Sequence, residues 1–137
     1  MEQHHMTFIP RVTVIPVGST VEFTNHDKMY HNVFSVSEAK KFNLDTYDSG
    51  KPKHVTFDKP GVVALLCNVH PEMAAWIVVT DNKYASVSDK LGNFTISDVP
   101  AGTYEIGVWT ERLKLQAVTK VIVANSKTSK IDVKLGD

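Results

Sequence analysis

Residues Thr20 to Thr24 read Thr-Val-Glu-Phe-Thr, with polar and apolar side chains alternating. A period of two puts every second side chain on one face, which predicts a half-buried β-strand. Extended sequence is also predicted at Val12–Val17, which is rich in β-branched residues, and at His31–Ser35, Lys53–Phe57 and Trp76–Thr80. Val62–Cys67 differs, being a continuous apolar run of the kind expected in a strand buried on both faces. Gly18-Ser19, Asn25-His26-Asp27 and Lys59-Pro60-Gly61 supply turn chemistry between these segments. From Ser37 to Asp48 no period emerges, and EAKKFNLDTY predicts a short helical turn or an irregular excursion.

Beyond Asp81 the pattern stays β-like. Tyr84–Ser88, Asn93–Ser97, Thr103–Thr110, Ala117–Ala124 and Lys130–Leu135 are predicted strands, separated by Asp89-Lys90-Leu91-Gly92, Pro100-Ala101-Gly102 and Asn125-Ser126. Short strands at regular spacing with Gly, Pro and Asn turns predict an all-β sandwich or barrel. With 137 residues, the chain has room for one compact domain, or for one small domain with an appended module.

Charge removes several classes of partner. Fifteen basic residues balance fifteen acidic ones, so nothing points to nucleic acid or to an anionic membrane surface. No apolar stretch approaches the ~20 residues that span a bilayer. The start, MEQHHMTF, lacks the apolar core of a signal peptide. Its abrupt entry into strand-like sequence favours a mature exported chain over a cytoplasmic one. The single cysteine excludes an internal disulfide.

That cysteine sits in LLCNVHPEMAAW, where Cys67, His70 and Met73 fall within seven residues. These are the three side chains that offer soft or borderline donors to a transition metal. Each alone defaults to core or surface, since buried Cys and Met often only fill space. Together, at the end of a buried strand, they form a loop whose intervals allow all three to fold onto one ion. His31 is the natural fourth donor, because it follows a turn and opens a strand beside the cysteine. Two His and one Cys with a weak axial Met describe the blue-copper electron-transfer site.

On FIPRVTVIPVGSTVEFTNHD, HNVFS, FDKPGVVALLC and CNVHPEM, the stretch from Thr7 to Val79 resembles a cupredoxin of the plastocyanin and amicyanin kind. The resemblance implies a Greek-key β-sandwich over residues 1–80 with one type 1 copper. His31, Cys67 and His70 would be equatorial ligands and Met73 the axial one. Asn32 would tie the two ligand loops together, and backbone N–H groups near Asn68 would donate to the thiolate and tune its potential. The Cys-x2-His-x2-Met interval matches the short loop of amicyanins, except that Glu72 stands where those loops carry a bulky apolar residue. Pro71 and Glu72 would then lie where redox partners dock or where the potential is tuned, with Glu72 favouring a basic partner. Residues 81–137 are similar to carboxypeptidase regulatory-like, or transthyretin-like, β modules through Asp89-x2-Gly92-x-Phe94 and Val99-Pro100-Ala101-Gly102-Thr103-Tyr104. They would form a small β-sandwich-like module packed on, or continuing, the first domain. A strand near Trp76–Thr80 would be the junction.

Other candidates take blander readings. His26 lies in a solvated turn, so His31 is preferred as the ligand. Met29 is expected to pack around the site rather than serve as an alternative sulfur ligand, His54 to lie on the surface, and Lys40-Lys41 to form a solvated pair rather than steer an acidic partner. His4-His5-Met6 is either a second, weaker copper site or an edge strand or tail with exposed imidazoles. Trp76 and Trp109 look like core or intermodule residues.

The expected function is a monomeric, periplasmic one-electron carrier that cycles Cu(I) and Cu(II) between redox partner proteins and is not an enzyme. The alternatives are a copper carrier or storage protein, and a non-redox binding or adhesion module on the same fold. Only six His and no His-x-His pair argue against an oxidase or nitrite reductase, and one Cys argues against a dinuclear purple site.

Overall fold

The protein was analysed as a computed structural model. It describes all residues except 46, 48, 49, 69, 71, 113, 126 and 134–137, with the backbone alone for 114–119. Eleven strands run in the order β1 (Glu2–His4), β2 (Thr7–Ile9), β3 (Val12–Pro16), β4 (Ser19–Asn25), β5 (Phe34–Ser37), β6 (Lys40–Asn43), β7 (Lys53–Phe57), β8 (Gly61–Leu66), β9 (Ala74–Thr80), β10 (Gly102–Thr110) and β11 (Lys114–Val123). No helix is present among the described residues.

The chain divides into two compact units, Met1–Thr95 and Ile96–Asp137. The first is a β-sandwich. One sheet has the order β2-β1-β4-β7 and the other β3-β9-β8-β5-β6. The chain changes sheet at β2–β3, β3–β4, β4–β5, β6–β7 and β7–β8, which gives the crossed connectivity of a Greek key. Gly18 makes the β3–β4 crossing with φ 92°, a left-handed conformation that costs glycine little. Its N–H donates to the Phe57 carbonyl at 2.7 Å, and the neighbouring Val17 N–H donates to Thr80 at 2.7 Å. That corner therefore fastens one sheet to the other.

Alternation in sequence becomes alternation in burial. Phe23 of β4, Val55 and Phe57 of β7, Val63 and Leu65 of β8, and Ala75, Ile77 and Val79 of β9 join one buried cluster drawn from both sheets. Full burial of each large apolar side chain contributes roughly 1.5–3 kcal/mol. In β8 the residues between these positions, Val62, Ala64 and Leu66, are only half-buried. The apolar run is thus buried on one face, and the expected burial on both faces does not occur. Antiparallel sheets commonly leave one face open in this way.

Two further expectations differ. Lys40–Asn43, read as a helical turn or an excursion, is strand β6, held by four register pairs with β5 from Phe34↔Asn43 to Ser37↔Lys40. The hairpin ladder outweighs the helix-neutral composition of KKFN. Conversely, Tyr84–Ser88, Asn93–Ser97 and the described part of Lys130–Leu135 are not strands. An alternating segment becomes a strand only when a ladder partner is in reach. Between the first two, Asp89 instead closes a local turn, its carboxylate accepting the N–H groups of Leu91 and Asn93, each at 2.9 Å.

The second unit carries β10 and β11, paired antiparallel from Gly102↔Val123 to Thr110↔Lys114 with a bulge between Ile106 and Gly107. The Tyr104 hydroxyl donates to the Pro100 carbonyl at 2.8 Å and braces the entry into the ribbon. No described helix is long and apolar enough to cross a membrane.

Gly61 opens β8 at φ 143°, and a Cβ built there would lie 2.8 Å from the Ala39 Cβ. Gly61→Ala should therefore destabilise the metal-free protein by about 1–3 kcal/mol in denaturant unfolding. Adding Ala39→Gly should recover the steric part only. Full recovery would show that the φ strain is negligible.

Candidate metal centre

Strand register brings the donors together. Phe34 of β5 pairs with Leu66 of β8, so the residues just before β5 lie beside those just after β8. His31 precedes β5 and is fixed by a two-way bridge to Tyr47, with N–H to carbonyl distances of 3.1 and 2.8 Å. Cys67 follows β8 directly. The loop it begins is closed by the Leu66↔Ala74 pair of the β8–β9 ladder. Within the loop the Met73 N–H donates to the His70 carbonyl at 2.9 Å. His31 is 0% exposed, Cys67 2% and Met73 1%, whereas His70 is half-buried.

Among the described residues, one group of His, Cys, Asp or Glu side chains can meet on one ion. It consists of His31, Cys67 and His70, with one donor atom from each lying within 4.8 Å of the others. Metal bonds of about 2.0–2.3 Å to nitrogen and sulfur hold donors within roughly that span. The two Nδ1 atoms of His31 and His70 face each other at 3.0 Å. The Asp27 carboxylate lies 2.6 Å from His31 Nε2. A carboxylate only accepts, so Nε2 carries a proton, and in the neutral ring Nδ1 is then the atom that presents a lone pair. With that tautomer His70 Nδ1–H donates across the 3.0 Å contact, and a bound ion would take the place of that proton. One thiol and two imidazoles in a largely dry site fit a borderline or soft transition metal far better than a hard cation.

A buried polar network surrounds the group. The Asn68 N–H donates to Asn32 Oδ1 at 2.6 Å, joining the His31 and Cys67 segments. That amide is engaged with Asn32, where the sequence suggested a donor to the thiolate. Gln3 Nε2 donates to the Asn32 carbonyl at 3.2 Å, and the Tyr47 hydroxyl donates to Gln3 Oε1. Asn25 Nδ2 reaches the Tyr47 carbonyl at 3.1 Å and that of Met29 at 2.9 Å. Burial, followed by the charge of Cys67, pushes the Tyr47 phenol up from its ordinary range. At Asp27 burial acts upward, but hydrogen bonds from His31 and from the Met6 and His5 amides outweigh it and bring the carboxyl down to about 2.

Gln3, Asn25, Asp27 and Tyr47 were not singled out from the sequence. The one local signal was Asp27, four residues before His31. The remaining candidates fall outside the group. Glu72 is exposed and not among the three clustered donors. Pro71 lies outside the described residues. His26 is half-exposed with its Nε2 3.6 Å from Glu2, and His54 makes a similar contact with Glu22 at 3.6 Å. Met29 is exposed, against the expectation that it packs around the site, although its carbonyl accepts from Asn25. The His4 and His5 rings lie with centroids 3.8 Å apart and are not part of the clustered His and Cys donors. Lys40 and Lys41 lie 4.0 Å from Asp58 and 3.5 Å from Glu38, both exposed acids. The Arg11 guanidinium sits over the Trp76 ring, 5.1 Å from its centroid. Trp109 lies in β10.

Comparison with known proteins agrees with this geometry. A family model described as copper binding proteins, plastocyanin/azurin family, matches residues 1–80. Among solved structures, the copper-containing nitrite reductase from Thermus scotoductus SA-01 superimposes with a TM-score of 0.56 and 30% identity. The match covers 59% of this chain but only 22% of the reductase. A reduced amicyanin variant superimposes with a TM-score of 0.54 at 24% identity over 58% of this chain and 78% of the amicyanin, a likeness of fold. No curated protein sequence matches the chain.

Asn32→Ala removes the acceptor that joins the two ligand segments. Copper affinity, measured by chelator competition, should fall by about 10–100-fold with the fold intact. Unchanged affinity would mean that the β5–β8 ladder alone holds the segments in place.

Proposed function

Because the chain belongs to the plastocyanin/azurin family of copper-binding proteins, we propose that it is a type 1 copper protein carrying single electrons between redox proteins. His31, Cys67 and His70 hold the metal, with Met73 as the fourth ligand. The observation that carries this reading is the convergence of one thiol and two imidazoles within 4.8 Å at one end of the sandwich. Copper bound there supplies a Cu(I)/Cu(II) couple. The protein's own part is to keep the donors still. Cys67 and His31 are buried and anchored at strand ends, so neither has room to move when the charge changes. His70 is the half-buried member and gives the electron its path to the surface.

The partners in this reading are electron donors and acceptors that dock around His70. Exposed Glu72 gives that surface a preference for a basic patch. The protein works as an exported periplasmic monomer and transforms no substrate. The nitrite reductase shares about a fifth of its length with this chain, and its activity is not carried over. In this reading residues 1–80 form the copper-binding domain and 81–137 an appended transthyretin-like module, of which the β10–β11 ribbon lies in the separate compact unit that begins at Ile96.

The test is an optical spectrum before and after one equivalent of Cu(II), with Cys67→Ser as control. The expected result is an intense visible thiolate band, bleached reversibly by a mild reductant and absent from the control. Tight Cu(I) binding with no such band would move the protein to copper carriage or storage. Binding of neither ion would overturn the copper reading.

A further inference from the structure

The turn between β1 and β2 is made by His5 and Met6, both with left-handed backbone, φ 51° and 59°. Two successive positive φ values are the geometry for which hairpins usually select Asn-Gly. Side chains of this size hold it only where the surroundings enforce it. Successive N–H groups in such a turn form a concave anion site. The anion here is Asp27. The His5 N–H donates to its Oδ1 at 2.7 Å and the Met6 N–H to its Oδ2 at 3.0 Å. Oδ2 also accepts the His31 Nε2 proton at 2.6 Å. The Asp27 side chain is 9% exposed and that of His31 0%. Among the described residues His4 also approaches the carboxylate, its Nδ1 4.0 Å from Oδ1.

The hairpin has independent anchors. β1 runs parallel to β4 with Glu2↔Thr24 and Gln3↔Asn25 in register. The His26 N–H donates to the Gln3 carbonyl at 2.7 Å, one residue before Asp27. The turn and the carboxylate are therefore fixed to the same strand. The turn holds Asp27, Asp27 holds the His31 ring, and His31 presents Nδ1 to Cys67 and His70.

We propose that Asp27, seated in the strained β1–β2 turn, is the positioning residue for His31, making the N-terminal hairpin part of the redox apparatus. This rests on the reading of His31 as a copper ligand. The carboxylate fixes the tautomer and the ring plane. It also draws on the Nε2 proton, which makes Nδ1 a stronger donor. A stronger donor favours the more highly charged Cu(II), so Asp27 lowers the reduction potential.

Asp27→Asn keeps the shape and removes the charge. The expected result is about a tenfold loss of Cu(II) affinity relative to Cu(I), read as a rise of about 59 mV in potential, with a shifted thiolate band. A second measurement needs no variant. In the metal-free wild type, NMR should show His31 protonated at Nε2, with a downfield and slowly exchanging proton. A wild-type thiolate band with an unchanged potential in Asp27→Asn would reduce Asp27 to a clasp for the turn. So would a rapidly exchanging His31 ring proton or one on Nδ1. Absence of the band from the wild type would instead sink the copper reading, and the NMR result would still decide the clasp.

Discussion

The antiparallel pairing of β5 with β8 is the constraint on which the candidate centre depends. It sets Phe34 opposite Leu66 and thereby brings His31 beside Cys67, residues separated by more than thirty positions in sequence. A slip of one residue would turn His31 away from Cys67, because successive side chains in a strand point to opposite faces. The register is protected from both sides. Val63 and Leu65 must face the core, and β6 and β9 flank the pair so that neither β5 nor β8 is an edge. Apolar burial thus fixes the position of polar donors that contribute nothing to it.

The parts of the site differ in how far the sequence reveals them. Cys67, His70 and Met73 are local, and their intervals are readable without a fold. Linking His31 to them requires only the idea that one strand begins where another ends. Gln3, Asn25 and Tyr47 are harder, because a buried Gln or Asn leaves no periodic trace. Gln3 lies in an N-terminal segment that reads as an edge or a tail, yet β1 lies between β2 and β4 and Gln3 is wholly buried. Asn25-His26-Asp27 reads as a solvated turn. In the structure only His26 is exposed, while Asn25 and Asp27 turn inward to neighbours that are far away in sequence.

The errors at the level of strands have one origin. Periodicity reports what a segment can present to a core and says nothing about whether a partner is there. Lys40–Asn43 has little strand character but lies next to β5 across a tight turn, so it pairs. Tyr84–Ser88 has the pattern and no ladder. Hydrogen-bonding opportunity outweighs intrinsic preference in both cases, as expected of a property as context-dependent as β-propensity.

The buried polar network explains how a site of this kind can be rigid without being purely apolar. Five polar side chains buried among the described residues, Gln3, Asn25, His31, Asn32 and Ser35, would each be costly if left unpaired in a low-dielectric interior. The first four bond to one another's segments: Gln3 to Asn32 and Tyr47, Asn25 to the Tyr47 carbonyl, His31 to Asp27, and Asn32 to Asn68. Moving any one of them breaks bonds held by several others, so the energy of a small displacement is shared across the network. For a centre that changes charge by one electron, this is the physical advantage of surrounding the donors with satisfied polar groups. The ligands stay where the protein put them, and the cost of rearrangement on gaining or losing an electron is kept small.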